Sequence, residues 1–132
     1  MLVGSMIKPL RVLTWCCIVF IVVLSLLPGR ALAKLSLSPL LEMARTLLAA
    51  PVEHFVAYAV SAAIAVAGYG PSRVAMRIIG GFCVLGGSLE YLRLFSPGRH
   101  PTIANFVGSA LGALCGGLVV VVLRYRSTDL PR

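Results

Sequence analysis

The chain has 132 residues, 59% of them hydrophobic and 12% charged, with a net charge of +8. A water-soluble domain carries about 45–50% apolar and about 25% charged residues, so this composition excludes an ordinary soluble fold. Mean hydropathy is +0.98, and the apolar residues come in long blocks rather than in a 3.6-residue stripe.

A membrane-crossing helix needs roughly 20 residues, so the chain holds about four crossings with short loops and no separate soluble domain. The predicted fold class is all-α, an integral membrane bundle forming one domain over residues 1–132. The Lys and Arg residues lie mostly at the ends of the apolar blocks, where positive-inside bias and lipid phosphates account for them. Nucleic acid is therefore not an expected partner.

The first span is predicted at about 10–27, between Lys8 and Arg11 on one side and Pro28-Gly29-Arg30 on the other. From Val12 to Leu27 it contains nothing more polar than Thr14 and Ser25. A basic start, an apolar core and Ala31-Leu32-Ala33 also fit a signal peptide cleaved after Ala33. The long core favours retention of the span. Residues 28–51 form a connector. Within it, Ser38-Pro39 suits a helix start. Leu40, Leu41, Ala44, Leu47 and Leu48 share one face, which predicts a short amphipathic helix lying in the membrane surface. Pro51 is expected to separate that helix from the second span.

The second span is predicted at about 52–67, ended by Gly68-Tyr69-Gly70-Pro71. The third covers about 74–95, with Arg77 in its first turn and Glu90 and Arg93 in its last. The fourth covers about 102–123, with Arg124 and Arg126 expected to cap its end. Gly108, Gly112 and Gly116 recur every fourth residue, a small-residue face for close helix packing. Short loops predict antiparallel neighbours. The four cysteines sit inside apolar runs without metal-ligand spacing, so neither a disulfide, a metal site nor a cofactor is expected.

With the N-terminus cytoplasmic, Lys8, Arg11, Arg73, Arg77, Arg124, Arg126 and Arg132 lie inside, and Arg30, Lys34, Arg45, Arg93 and Arg99 outside. Seven against five favours both termini inside. Glu53, His54, Glu90, Arg93, Arg99, His100, Thr102 and Asn105 then gather at the outer end. His54, Tyr58 and Ser61 share a face of the second span, and Thr102, Asn105, Ser109 and Gly112 share one of the fourth. Glu90 and Arg93 are three apart and can pair.

These stripes converge on a candidate polar cleft of His54, Tyr58, Glu90, Arg93, Arg99, Asn105 and Ser109. Each member also has a plain structural reading. Glu90 and Arg93 suit an ion pair at the headgroups, His54 a packing histidine, Tyr58 a membrane-interface or packing role, Arg99 a solvated turn, and Asn105 and Ser109 interhelical hydrogen bonds.

The stretches EHFVAY, EYLRLFSPGR and GALCG, in that order, resemble the VanZ-like family of small bacterial membrane proteins. His54, Phe55 and Tyr58 match its first motif, Glu90 its second, and Pro97, Gly98 and Arg99 its third. Gly112 and Gly116 fit its Gly-rich finish. Ala50 and Pro51 stand at its Asp-Lys positions, Arg93 at a Gln, Asn105 at an Asp and Ser109 at an Asn. The resemblance implies a bacterial plasma membrane protein acting at the cell envelope, in a family linked to resistance to the glycopeptide teicoplanin.

Three functional readings follow. The preferred one is a non-catalytic protein whose outward cleft binds an anionic lipid, a glycopeptide or a partner protein. The second is an enzyme on a lipid-linked envelope substrate, with His54 or Glu90 as acid/base and Arg99 holding an anion. The third is a proton-coupled transporter with Glu90 as carrier. The charge asymmetry makes one measurable statement about topology: a fluorescent reporter fused to the C-terminus is expected to be active, and a phosphatase that matures only outside the cytoplasm to be silent there. The reverse pattern contradicts the predicted orientation.

Overall fold

The computed structural model describes residues 2–27, 50–70, 72–97 and 100–128. These residues form four long helices: α1 Leu2–Leu26, α2 Ala50–Tyr69, α3 Ser72–Leu92 and α4 Ile103–Thr128. A 3₁₀ turn, Arg93–Phe95, extends α3. Stretches of 20, 20, 23 and 25 residues within them are long and apolar enough to cross a membrane, since 20 residues of helix cover about 30 Å. The chain is a multi-pass, all-α membrane protein. The amphipathic helix expected in the connector, the cleavage point after Ala33 and Arg99 lie outside the described residues.

Several boundaries differ from the sequence reading for local reasons. Pro51 does not separate α2 from what precedes it. It sits in the first turn of α2, where its missing N–H has no helical partner to lose. Helix α1 begins before Lys8 and continues through Pro9. Helix α2 runs on through Gly68 and stops at Gly70, whose φ of 106° is open to glycine and strained for other residues. The Gly70 N–H donates to the Val66 carbonyl at 3.4 Å, closing the helix end. Thr102 caps the start of α4, its hydroxyl accepting from the Asn105 N–H at 3.3 Å.

The tightest contact joins α2 to α4. Pro51, Phe55 and Ala59 on α2 recur every fourth residue, as do Gly108, Gly112 and Gly116 on α4. Each glycine lies against the backbone of one of them in the same order, so the two helices run parallel. A Cβ on any of these glycines would collide with the facing carbonyl oxygen, of Pro51, Phe55 and Ala59 respectively. The antiparallel neighbours expected from the short loops are in contact, α2 with α3 and α3 with α4, and the glycine stripe makes the parallel pair α2 and α4 the closest. In lipid there is no hydrophobic gain from helix association, so close packing must supply the energy. Weak Cα–H···O contacts at such approaches add about 0.5–1 kcal/mol each.

Helix α3 packs across this pair. Its Gly86 admits Ser109 and Tyr58, since a Cβ there would stand 3.0 Å from the Ser109 Cβ. Tyr58 also meets Phe82 edge-on, with ring centroids 6.1 Å apart. Helix α1 lies mainly against α2 and only grazes α3. Its Leu10 approaches Gly68, where a Cβ would lie 3.1 Å from the Leu10 Cβ.

All helices therefore end at two faces of the bundle. One is basic, with Lys8, Arg11, Arg73, Arg77, Arg124 and Arg126; the other carries Glu53, His54, Glu90 and Arg93. The outward surfaces are apolar throughout: Val84 is 70% and Phe20 64% exposed. Such a belt would be a liability in water and is ordinary in a bilayer.

Arg124, expected at the cap of its own helix, reaches across to the end of α2. Its guanidinium donates to the Ala67 carbonyl at 2.6 Å and to the Gly70 carbonyl. Arg11 donates from Nε to the Gly68 carbonyl at 3.1 Å. Two arginines from neighbouring helices thus satisfy the last carbonyls of α2.

The glycine stripe generates a stability test. Gly112→Leu is expected to lower unfolding stability by about 1–3 kcal/mol, the usual cost of overpacking, read by circular dichroism during SDS titration in micelles. Gly80→Ala should be neutral or mildly stabilising, because a Cβ at Gly80 meets nothing within 4 Å. Equal effects at the two positions would remove the stripe from its packing role.

Candidate functional site

The candidate site is built at the end of the bundle where α1 and α3 finish and α2 and α4 begin. Glu90 and Arg93 are only 8% and 5% exposed. Spaced three apart on α3 and its 3₁₀ extension, they face the same way. The Arg93 Nη1 donates to Glu90 Oε1. The other carboxylate oxygen, Oε2, accepts from the Thr102 N–H at 3.2 Å. Arg93 Nε donates to the Ser25 carbonyl at 3.4 Å and Nη2 to the Ser25 hydroxyl at 3.3 Å. The pair therefore ties α1 to α3 and α3 to the start of α4.

This is a strong arrangement for a buried charge. Charge-assisted bonds to several partners offset the desolvation that an isolated ion would suffer. The end of α1 gains as well: Arg93 places positive charge at its C-terminus and engages the Ser25 carbonyl, and the Ser96 hydroxyl donates to the Leu26 carbonyl at 2.9 Å.

His54, in the first turns of α2, brings Nε2 to 3.6 Å from Glu90 Oε1, with 19% of its side chain exposed. It faces the ion pair from the wetter side. One turn deeper, Tyr58 is 3% exposed, and its hydroxyl is hydrogen-bonded to Ser109. The Ser109 hydroxyl donates to the Asn105 carbonyl at 2.9 Å within α4. Asn105 is 7% exposed. Its described hydrogen bonds run through its backbone, to Thr102 and from Ser109.

The structure thus brings together His54, Tyr58, Glu90, Arg93, Asn105 and Ser109, six of the seven residues singled out in the sequence. The seventh, Arg99, lies outside the described residues. His100 and Thr102 beside it are exposed.

Sequence reasoning missed Ser25, Ser96 and the Thr102 backbone as partners. Ser25 carried a signal: it is the polar residue nearest the end of span 1, at the same face as Glu90. Ser96 and the Thr102 N–H carried none, because a backbone donor and a loop hydroxyl are aimed only by the turn between α3 and α4.

Among the described residues, no three His, Cys, Asp or Glu side chains gather to hold a metal ion. Cys16, Cys17, Cys83 and Cys115 are all free thiols.

Comparison with protein-family models, with curated proteins and with solved structures gives no match. The chemistry of the site must therefore be read from its own geometry. Here the Glu90 carboxylate already serves Arg93, His54 and Thr102. A general base or proton carrier needs a carboxylate oxygen free to reach its substrate, whereas both oxygens of Glu90 are engaged within the protein.

Coupling between Glu90 and Arg93 is measurable. Arg93→Met alone is expected to cost about 3–5 kcal/mol, because it strands a buried carboxylate. Adding Glu90→Leu should recover most of that loss. Additive losses in this double-mutant cycle, read by the same SDS titration, would show that the two side chains act independently.

Proposed function

We propose that this protein is a non-catalytic, VanZ-like protein of the bacterial plasma membrane whose polar end binds an anionic component of the cell envelope. The observation that carries the reading is the saturation of the Glu90–Arg93 pair. Its charges are spent on holding three helices together, which supports a framework under a binding surface rather than a reactive centre. The groups that reach the surface of that end are the half-buried Glu53 and His54 and the exposed His100 and Thr102, and Arg99 precedes His100 in the sequence. Arg99 and His54 suit a phosphate or carboxylate, as found in lipid-linked wall precursors and in glycopeptides.

This reading places the polar end on the outer face and both termini in the cytoplasm. The gathering of six Lys and Arg residues at the opposite end of the bundle supports that orientation. A link to glycopeptide resistance rests on the motif resemblance alone. Arg93 fits the departure from that pattern: where the family has Gln, a guanidinium here neutralises Glu90 and reaches Ser25.

One observation favours a second reading. His54 lies 3.6 Å from a carboxylate oxygen, and an imidazole oriented by a carboxylate is a common form of catalytic base. The two readings separate on one preparation. Purified protein in micelles is titrated with undecaprenyl phosphate and, separately, with teicoplanin, then incubated with undecaprenyl pyrophosphate. Binding without turnover is expected, weakened about tenfold by Arg99→Ala, the scale of one charge-assisted hydrogen bond. Hydrolysis abolished by His54→Ala would establish the enzyme instead. Failure to bind either ligand would reduce the polar end to a helix tie.

A further inference from the structure

A second feature lies at the other end of the bundle. Because α1 packs on α2 and barely meets α3, a groove of about 360 Å³ opens between α1 and α3 over the flank of α2. Trp15 and Ile18 form one wall, Val74, Ile78 and Leu85 the other, and Phe82 lies deep within it. Gly81 hollows the α3 side, where a Cβ would meet no atom within 4 Å.

The few polar atoms in the walls are already used. The Thr14 hydroxyl donates to the Leu10 carbonyl at 2.9 Å, and the Trp15 indole N–H donates to the Tyr69 hydroxyl at 2.9 Å. What the groove offers an occupant is apolar surface. Its volume is near the lower end of the roughly 300–1,000 Å³ of ligand pockets, enough for one slender apolar group. From Val74 to Leu85 it runs about 16 Å by helical rise, close to half of the ~30 Å hydrocarbon thickness. That is the depth reached by an acyl chain of one leaflet.

The mouth of this groove is cationic. Arg11 lies on the groove-facing side of α1, one turn before Thr14 and Trp15. Its guanidinium carbon stands 5.0 Å from the centroid of the Tyr69 ring, which is itself part of the wall. Nε is bound to the Gly68 carbonyl, and the guanidinium carries two terminal nitrogens as further donors. Lys8 precedes Arg11 by three residues, and Arg77 flanks the groove on α3, both exposed.

The described acidic residues, Glu53 and Glu90, both lie at the opposite end. Trp15 and Tyr69 stand at the rim as amphipathic aromatics do at a headgroup boundary. A second copy of the chain is a poor occupant. A two-fold contact through this groove would bring two such cationic mouths together.

We infer that the α1–α3 groove is a binding site for an anionic phospholipid of the leaflet at the basic end, with one acyl chain along Ile18, Ile78 and Leu85 and the phosphate at Arg11, supported by Lys8 and Arg77. The site is separate from the polar end and does not depend on what that end binds.

Trp15 is the sole tryptophan of the chain and stands in the groove wall, so its fluorescence reports the occupant directly. The protein is reconstituted in phosphatidylcholine vesicles containing a small fraction of either brominated phosphatidylglycerol or brominated phosphatidylcholine. Trp15 is expected to be quenched at an apparent affinity about fivefold higher for the phosphatidylglycerol, the scale of one Lys or Arg beside an anionic lipid. Arg11→Gln should abolish that preference. Gly81→Leu should fill the hollow and reduce quenching by both lipids.

Arg11 also closes the end of α2, so Arg77→Gln and Lys8→Gln provide partial losses of preference in variants whose helix ends are intact. Equal quenching by the two lipids in the unaltered protein would overturn the inference, leaving ordinary annular contact. So would a phosphatidylglycerol preference unchanged in Gly81→Leu, or a Trp15 that neither lipid quenches because another protein surface covers it.

Discussion

The close approach of α4 to α2 is the constraint on which the rest of the bundle depends. Gly108, Gly112 and Gly116 remove three side chains from one face of α4, and the backbone of α2 at Pro51, Phe55 and Ala59 occupies the space. Two parallel helices in such contact fix their relative height to within a turn. That height sets His54 and Tyr58 on α2 beside Asn105 and Ser109 on α4. It also leaves a single course for α3, across both, with Gly86 giving way to Ser109 and Tyr58. The polar end is therefore a product of apolar packing: its side chains meet because glycines elsewhere let two backbones touch.

Helix ends in a bilayer raise a second demand, since backbone carbonyls buried in protein or lipid must find donors. This chain answers it with arginines from neighbouring helices. Arg93 and Ser96 serve the end of α1, while Arg11 and Arg124 serve the end of α2. Each such bond crosses between helices far apart in sequence, so it closes a helix and positions its neighbour at once. The Glu90–Arg93 pair belongs to this system as much as to any site. Its geometry explains why so hydrophobic a chain keeps a buried carboxylate: Glu90 holds Arg93 in place, and Arg93 holds α1.

The bundle then divides its chemistry between two faces. One gathers a satisfied ion pair, a half-buried histidine and a buried Tyr58–Ser109 hydrogen bond. The other presents cations above an apolar groove that reaches mid-membrane. An anion is the ligand we propose at both, but the surroundings differ. At the polar end the anion would meet hydrogen-bonding side chains over a rigid framework. At the basic end it would be the headgroup of a molecule anchored by its chain.

The four crossings were legible in the sequence because a membrane imposes length and apolarity on every span, whatever its neighbours. The glycine stripe was legible for a similar reason, since a fourfold spacing places residues on one face of any helix. The polar residues, too, could be assigned to one end by counting crossings. Sequence alone did not reveal which helix the glycines would meet. Chain adjacency pointed to the antiparallel contacts, which are present, and the packing added the parallel pair α2 and α4 as the closest. Nor did it reveal that Arg124 would close the end of α2, or that Ser25 and Thr102 would complete the Glu90–Arg93 network. Periodicity places a residue on a face and at a height, which are local properties of one helix. Which backbone lies opposite, and which donor reaches which carbonyl, depends on the distances between helices, and those exist only once the bundle has packed.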